Sequence, residues 1–491
     1  MSKFIAVTRR RRLTVTLTAL FSVIFTVSAV VLDVTGVVPG TLTTLTRIRH
    51  DGSVAALNPT HSLRIFSGYT VKDTQAKTID KTRAQQLVDQ TQSELVEGNT
   101  ATIAIADSSG KIVAGKNVSE GFEPASTMKT LTAFAASVTL DPQQTFDTVV
   151  KMDRADTHST SATLTLIGGG DILLGAGHSD TSHIDGRAGL QTLTDKVVKQ
   201  LRNRNIDTVS LQYDDSLFGD DTLPTVINAQ SSVNANYMNL MEPSSMAIDE
   251  ARQWNVTPRN LDEEQAEYPA RAQYPAAQVA STFASQLKAQ GINVESSSSA
   301  TYSQGTASSQ AITLGTVSSA PVYELVQLML TNSDNSLAQL LGRVLAIKTQ
   351  NKNTQAGASN AVKGILQQYG INVDNLVIAD TSGLASGSKI TVQTLIQIQS
   401  AYLNPRISTW SAATGMPIAG LTGTLKNRDF GALGRGAIRA KTGTLDEAAA
   451  LAGNVVRTNR GTLIFVIIVN GNNMSNGVQV INNFAADLPT L

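Results

Sequence analysis

Two apolar hairpin patterns near opposite ends of the chain most constrain its fold. Residues 102–117 hold two short apolar runs around Asp107-Ser108-Ser109-Gly110, and residues 448–470 hold two longer runs around Asn459-Arg460-Gly461. Apolar runs that flank such turn residues are typical of β-hairpins. The two hairpins could join in one antiparallel sheet. This arrangement predicts an α/β unit built from both ends of the chain, with another domain spliced into it.

Between the hairpins the predicted secondary structure changes twice along the chain. A strongly apolar helix is predicted after Pro124-Ala125-Ser126, and from about 146 to 314 short alternating strands and Gly-rich turns prevail, with one amphipathic helix at 276–290. Ser-rich tracts at 296–299 and 303–309 are typical of an exit from that region. Further helices are predicted at 82–95, 322–341, 392–401 and 478–487.

These patterns predict an α/β (α+β) fold with an antiparallel sheet flanked by helices and a β-rich inserted region. The predicted divisions are 1–33, an N-terminal signal or membrane anchor; 34–78, a linker; 79–145 with 315–491, one domain; and 146–314, an inserted region of one or two subdomains.

The N-terminus reads as an export signal. Lys3 and the four arginines at 9–12 precede residues 13–32, a stretch of 20 residues without a charge that Asp33 ends. As a helix this stretch spans about 30 Å, one hydrocarbon thickness. The cationic block should stay in the cytoplasm, which places the rest of the chain outside. Val27-Ser28-Ala29 is an acceptable cleavage site, so we expect either an anchored or a released protein, with anchoring slightly favoured.

Charge and cysteine content exclude several function classes. The chain has 39 Lys and Arg against 39 Asp and Glu, so no bulk positive field favours nucleic acid as a partner. It has no Cys, which removes disulfides, thiol nucleophiles and Cys-based metal sites. The five histidines show no metal-ligand spacing, and no P-loop or dinucleotide-binding fingerprint appears. We therefore expect neither a metal nor a cofactor.

The pattern Ser-x-x-Lys at Ser126 and Lys129 is the first candidate for chemistry. On a helix the two positions share a face, so the Lys amine can accept the Ser proton. The pattern also occurs at Ser108, Ser285 and Ser386, but only Ser126 begins an apolar helix that will be buried. Burial lowers a Lys pKa towards that of a usable base. Taken alone, a capping Ser with a surface Lys remains the better interpretation.

Two further patterns are candidates for the site, and each by itself is weak evidence for a function. Ser333-Asp334-Asn335 follows an apolar helix and could present a hydroxyl and an amide to one pocket, although it could equally cap the next helix. Lys441-Thr442-Gly443, with Thr444 next, occurs once and precedes an apolar run, so it lies on or beside a strand. Its Lys could bind a carboxylate, and Gly443 would let a ligand approach the backbone. The alternative is a plain turn.

Together, and in this order, the three motifs are the signature of penicillin-recognising serine enzymes. Lys129 and Ser333 are 204 positions apart, far more than in a compact β-lactamase. With the other markers, the chain resembles the type-4 penicillin-binding proteins, the D-alanyl-D-alanine carboxypeptidase/endopeptidases of peptidase family S13, over about residues 80–490. The resembling stretches are EPASTMKTLTA (123–133), LIGGGDILL (166–174), YDDSLF (213–218), SSAPVYELVQLMLTNSDNSLAQLLGR (318–343), DTSGLASGSKIT (380–391), IAGLTGTL (418–425) and GAIRAKTGTLDEAAALAG (436–453).

The resemblance implies a transpeptidase/β-lactamase-like domain and an acyl-enzyme mechanism on peptidoglycan stem peptides. Ser126 would be the nucleophile, acylated by the penultimate D-Ala, and Lys129 would be its general base. Ser333 would relay protons to the leaving amine. A second nearby Lys would help to keep Lys129 neutral. β-Lactam antibiotics would acylate Ser126 and leave slowly, and the protein would work in the extracytoplasmic envelope of a bacterium.

The resemblance also implies the binding groups. Asn335 would bind the substrate amide, and Lys441 with the hydroxyls of Thr442 and Thr444 would hold the terminal carboxylate. The backbone N–H groups of Ser126 and Thr444 would form the oxyanion hole. Three acidic and hydroxyl residues of the GGGD and DTSGL stretches, Asp171, Asp380 and Ser382, are expected to be structural rather than catalytic.

Two alternatives remain open at this point. A class A β-lactamase would need a Glu-x-x-Leu-Asn motif to activate water, and the sequence has none. A non-enzymatic envelope scaffold would have no need of Lys129. The sequence does not rank carboxypeptidase against endopeptidase activity.

Overall fold

The structure is a computed structural model that describes residues 78–153, 159–219, 240–295, 302–458 and 461–491. All of them belong to one compact unit, residues 72–491. The predicted signal or anchor at 1–33 lies outside the described residues, as does almost all of the predicted linker. Across the part of the chain that is described, none of the helices combines the length and apolar character needed to span a bilayer.

The strands and helices are numbered in chain order. The strands are β1 (Thr100–Asp107), β2 (Ile112–Lys116), β3 (Asp147–Asp153), β4 (Ser161–Gly168), β5 (Asp171–Leu174), β6 (Thr208–Asp214), β7 (Met246–Ile248), β8 (Asn293–Glu295), β9 (Ser303–Gln304), β10 (Ile312–Ser318), β11 (Ile438–Leu445), β12 (Ala448–Arg457) and β13 (Gly461–Asn470). The helices are α1 (Lys81–Ser93), α2 (Lys129–Thr139), α3 (Leu190–Arg202), α4 (Pro275–Ala289), α5 (Val322–Thr331), α6 (Asn335–Lys348), α7 (Gln355–Gln368), α8 (Val392–Leu403), α9 (Trp410–Gly415), α10 (Gly431–Gly434) and α11 (Met474–Asp487).

Strands from both ends of the chain form one five-stranded sheet. Its order is β11-β12-β13-β1-β2, and each neighbouring pair is antiparallel. The pairing of β1 with β13 joins the two predicted hairpins, and Thr100 lies opposite Asn470. The mixed α/β class with an antiparallel sheet flanked by helices is thereby confirmed.

The sheet is buried on both faces because helices cover each of them. Successive residues of β13 point to opposite sides. Val466 belongs to the core that contains Phe134 of α2, whereas Phe465 packs edge-on against Phe484 of α11, with ring centroids 6.3 Å apart. Burial on both sides explains why the second hairpin is almost continuously apolar instead of alternating. Each fully buried large side chain contributes roughly 1.5–3 kcal/mol.

Residues 147–318 contribute a second sheet of order β10-β3-β4-β6-β8, with β9 also paired to β6. The pairs β10–β3 and β3–β4 are antiparallel, whereas β4–β6 and β6–β8 are parallel. Helices α3 and α4 pack on it, with Leu193 and Phe283 in the same core as Leu164. A third, two-stranded sheet pairs β5 with β7.

The predicted helix at 322–341 is wrong as a single element. It is two helices, α5 and α6, separated by residues 332–334, and Ser333 between them has φ +59°. The Asp334 side chain caps α6 by accepting the Leu337 N–H at 2.9 Å. The apolar positions continue on both sides of the break, so periodicity alone does not show it. The alternative interpretation of Ser333-Asp334-Asn335, as a cap for the next helix, does, and the Asp334 cap confirms it.

Four helices were not predicted: α3, α7 and the short α9 and α10. Helix α3 buries Leu190, Leu193, Val197 and Leu201, a spacing of three and four residues that a periodicity search could have found. Helix α7 carries two glycines and an N-terminal Thr354 cap, and its polar composition hid it.

Candidate active site

The turn that carries Ser126 is fixed by its backbone. Residues Ala125–Met128 form a single 3₁₀ turn, and Lys129 begins α2 directly after it. Ala125 has φ +46°, a conformation that is unfavourable for a residue with a Cβ. The Thr127 hydroxyl holds the turn by donating to the Pro124 carbonyl at 2.7 Å. Ser126 is left partly exposed, whereas Lys129 is fully buried.

The amine of Lys129 has three oxygen neighbours. Its Nζ lies 2.9 Å from Ser126 Oγ, 2.6 Å from Asn335 Oδ1 and 2.9 Å from the Ser382 carbonyl oxygen. The amide and carbonyl oxygens can only accept, so they occupy two N–H groups of the amine. In the neutral amine the lone pair then faces the Ser126 hydroxyl, which is the geometry a general base requires.

Burial is the main reason that Lys129 can be neutral. Removal from water lowers its pKa to about 8, and the carboxylates of Asp380 and Asp334 oppose that shift. Repulsion between the lysines acts on the second one: burial, followed by the charge of Lys129, lowers the pKa of Lys441 well below its usual value. The expected mutual repulsion of two lysines is therefore secondary to burial.

The loop after α7 supplies the third contact of Lys129. Asp380 is fully buried and accepts hydrogen bonds from the Ser382 hydroxyl, from the Gly383 N–H at 2.7 Å and from Gln339 Nε2 at 2.7 Å. These bonds orient the loop so that the Ser382 carbonyl meets the lysine. The sequence indicated a structural role for Asp380 and Ser382 but gave no sign that they contact Lys129.

Ser333 and Lys441 form a second hydrogen-bonded pair of a serine and a buried lysine. Lys441 Nζ donates to Ser333 Oγ at 2.8 Å and to the Thr442 carbonyl at 2.9 Å. Lys441 is fully buried in β11, which runs beside the Ser126 turn. Because the Ser333 oxygen accepts from Lys441, its own O–H is directed elsewhere. It can therefore pass a proton to a neighbouring group.

The remaining residues of the third motif, Thr442 and Gly443, and the Thr444 that follows them, also lie in β11. The Thr442 hydroxyl donates to the hydroxyl of Thr424 at 2.8 Å, a contact that no sequence pattern predicts. Thr444 is exposed. A Cβ on Gly443 would stand 2.8 Å from the Pro124 carbonyl and 3.0 Å from the Ser126 N–H nitrogen. Gly443 is thus required for β11 to lie against the Ser126 turn.

The structure brings all three motifs together. Lys129 joins the first motif to the second through Asn335, and Ser333 joins the second to the third through Lys441. The competing Ser-x-x-Lys patterns have no such setting: Ser285, for example, bonds only to its own helix at the Ser281 carbonyl. Among the described residues no group of His, Asp or Glu is arranged to hold a metal ion.

The fold and this constellation define a penicillin-recognising serine enzyme. Residues 83–264 and 225–488 match the D-Ala-D-Ala carboxypeptidase 3 (S13) family, and the chain belongs to that family. Membership confirms the prediction of a serine-type D-Ala-D-Ala peptidase.

Similar proteins agree with this assignment. Carboxypeptidase DacB of Mycolicibacterium smegmatis is 29% identical over 356 residues, 71% of each protein. The D-alanyl-D-alanine carboxypeptidase of an Actinomadura species is 33% identical over 159 residues, 31% of this chain and 29% of that protein. The crystal structure of penicillin binding protein 4 from Haemophilus influenzae has the same fold, with a TM-score of 0.64 and 22% identity over 84% of this chain and 100% of that one.

Proposed function

We propose that this chain removes the terminal D-Ala from peptidoglycan stem peptides, cleaves peptide crosslinks, or does both, through an acyl-enzyme on Ser126. The observation that carries the proposal is the buried Lys129 amine, held by two obligate acceptors with its remaining position 2.9 Å from the Ser126 hydroxyl. With two N–H groups held by these acceptors, the lone pair of the neutral amine faces the Ser126 hydroxyl, as a general base requires.

In the proposed acylation step, Ser126 Oγ attacks the carbonyl carbon of the penultimate D-Ala and its proton moves to Lys129 Nζ. The carbon–nitrogen bond to the leaving residue then breaks, Ser333 passes its proton to the leaving amine, and the proton on Lys129 replaces it, so that both side chains return to their starting states. In deacylation Lys129 accepts a proton from water as the water oxygen adds to the ester carbonyl. It returns that proton to Ser126 Oγ as the ester bond breaks and the shortened peptide leaves. The N–H groups of Ser126 and Thr444 would stabilise the oxyanion in both steps.

Substrate binding follows from the same groups. The Oδ1 of Asn335 accepts from Lys129, so its amide N–H groups are the ones that can donate to a substrate carbonyl. Lys441, with the hydroxyls of Thr442 and Thr444, would bind the terminal carboxylate at the open side of β11. A β-lactam presents an acyl carbonyl and a carboxylate at similar positions, so it would acylate Ser126. No Glu-x-x-Leu-Asn motif is present to speed hydrolysis.

Release of D-Ala tests the proposal. The purified full-length chain is incubated with a stem pentapeptide ending in D-Ala-D-Ala, and the same assay is run with Ser126→Ala. We expect D-Ala release from the first and none from the second. Digestion of crosslinked muropeptides followed by mass analysis then separates carboxypeptidase from endopeptidase activity. No D-Ala release and no crosslink cleavage by the unaltered chain would refute the proposal and favour a scaffold.

We also propose an extracytoplasmic location at the bacterial cytoplasmic membrane, with residues 1–33 as a membrane anchor or a cleaved signal. The arginine block followed by an uncharged stretch supports it. Fractionation of cells, with N-terminal sequencing of the recovered protein, distinguishes anchoring from release. Recovery of the protein in the cytoplasm would contradict both.

A further inference from the structure

Alternate residues of the stretch 332–336, which runs from the end of α5 into the first turn of α6, contact the inserted region. Asn332 Nδ2 donates to the Asp262 carbonyl at 2.9 Å, and the Ser336 hydroxyl accepts from the Met241 N–H at 3.2 Å. Asp334, between them, faces a cluster of charged groups from the same region. The two residues between these positions are Ser333, whose side chain contacts Lys441, and Asn335, whose side chain contacts Lys129. One side of this stretch therefore faces Lys129 and Lys441, and the other side packs against the inserted region.

The charged cluster is buried and centred on Glu250, whose side chain has no exposed surface. Arg252 Nη2 lies 2.9 Å from Glu250 Oε1 and 3.5 Å from Asp334 Oδ2. Arg271 Nη2 lies 2.7 Å from Glu250 Oε2, and the Arg252 guanidinium stacks 4.5 Å from the centre of the Tyr268 ring. Arg252 thus bridges the inserted region to the middle residue of the second motif.

Asp334 and Glu250 are electrostatically coupled in this cluster, which also contains Asp249, whose Oδ1 lies 2.7 Å from Arg252 Nη1. Burial and then the charge of Glu250 raise the pKa of Asp334 to about 8, and a hydrogen bond with Glu250 acts in the same direction. Burial would raise the pKa of Glu250, but Arg252, the Asp334 hydrogen bond and Arg271 hold it below its usual range. Glu250 therefore governs how readily Asp334 ionises, in addition to pairing with the two guanidinium groups.

The backbone that presents the glutamate is in a rare conformation. Asp249, Glu250 and Ala251 have φ values of +42°, +49° and +58°, three consecutive left-handed residues that all carry a Cβ. Such a turn persists only where the surroundings determine it, and such turns occur preferentially at functional sites. Here the surroundings are the ion pairs to Arg252 and Arg271.

We propose that Glu250 and Arg252 are positioning residues that hold the Ser333–Asn335 segment in its reactive geometry. The inserted region would then be part of the catalytic apparatus of the sheet domain rather than an appended module. This inference rests on the proposed peptidase function for its kinetic consequences, but its structural consequence can be measured independently.

The first test is Glu250→Gln in the full-length chain. The glutamine removes the negative charge that pairs with both guanidinium groups, so Asp334 ionises more readily and is drawn towards Arg252. The segment shifts, and Ser333 and Asn335 shift with it. We expect kcat for D-Ala release to fall at least about tenfold, with KM changed less than about threefold, because small displacements of catalytic groups act mainly on the chemical step.

The matched control is Glu324→Gln. Glu324 lies on α5 and pairs with Arg187 of the inserted region, so it also joins the inserted region to a helix of the sheet domain. It does not touch residues 332–336. We expect its kcat and KM to equal those of the unaltered chain. Arg252→Lys is a milder second variant, and it should lower kcat in the same direction if Glu250→Gln folds poorly.

Amide hydrogen exchange of a peptide covering residues 330–337 supplies a readout that is independent of activity. Faster exchange in Glu250→Gln and Arg252→Lys, but not in Glu324→Gln, supports the inference. A lower melting temperature with unchanged exchange and unchanged kcat, measured well below that temperature, overturns it and leaves a purely stabilising cluster. If exchange responds but the unaltered chain neither releases D-Ala nor cleaves crosslinks, the proposed function fails instead, and the kinetic part of the inference fails with it.

Discussion

The amine of Lys129 donates to Asn335 Oδ1 at 2.6 Å, although the two residues are 206 positions apart in the chain. This bond, with the one to the Ser382 carbonyl, fixes two N–H groups of the amine and directs its lone pair at Ser126. The orientation of the base is thus set by two segments that lie outside its own helix.

Replacing Lys129 by Arg tests whether Lys129 acts as a proton acceptor or only as a structural cation. Arginine keeps the positive charge and its donors but cannot be deprotonated in proteins. We expect kcat/KM for D-Ala release to fall at least about 100-fold, as for loss of a general base. The melting temperature serves as the control for folding. Activity within about tenfold of the unaltered chain would contradict the assigned role.

The pH profile should report the titration of Lys129. The reaction needs the neutral amine, and burial lowers its pKa to about 8, so kcat/KM should rise with pH and level off above about 8. The negative charge of Asp380 favours the charged form of Lys129 and so raises its pKa. Asp380→Asn should therefore shift the rising limb to lower pH, whereas Asp374→Asn, at an exposed site of the preceding loop, should not. A limb that moves to higher pH in Asp380→Asn would contradict this electrostatic account.

Lys441 should set the preference for a free carboxylate. We compare a peptide ending in D-Ala-D-Ala with the same peptide ending in a carboxamide. Lys441→Met weakens the hold on Ser333 for both substrates, but only the carboxylate substrate also loses a charge-assisted hydrogen bond. The preference for the carboxylate, measured as a ratio of kcat/KM values, should fall about 10- to 100-fold. An unchanged ratio would place the carboxylate elsewhere.

Gly443→Ala tests the contact between β11 and the nucleophile turn. The added methyl would stand 2.8 Å from the Pro124 carbonyl and 3.0 Å from the Ser126 nitrogen, so the turn must move. We expect the rate of acylation by a fluorescent penicillin to fall at least about tenfold. Gly364→Ala in α7 is the control, since a Cβ there meets nothing within 4 Å. Equal acylation rates for both variants would show that the contact does not position Ser126.

The sequence predicted the parts of the site that are local patterns. Ser126 and Lys129 lie one helical turn apart, and Lys441-Thr442-Gly443 occurs beside a recognisable apolar run. Their settings in the structure, a turn that opens a buried helix and a strand of the central sheet, were readable from the residues around them. The assembly of the three motifs was inferred from a resemblance, because no spacing rule relates segments so far apart.

The supporting residues could not be predicted in the same way. Thr424 reaches Thr442, and Asp380 orients the carbonyl that contacts Lys129, only through the tertiary fold. The pair of Glu250 with Arg252 looks like an ordinary charged stretch in the sequence. Its importance lies in burial and in a left-handed backbone, and neither property has a local signature in residues that carry a Cβ.

The central claim is that the Ser126 hydroxyl is the nucleophile, and the product it forms with a β-lactam tests that claim most directly. The full-length chain is incubated with benzylpenicillin, its intact mass is recorded over hours, and the modified peptide is identified after proteolysis. The account predicts one added penicilloyl group per chain, located on Ser126, that persists after excess drug is removed and is absent from Ser126→Ala. An adduct on another residue, or rapid turnover of the drug with no lasting adduct, would contradict it.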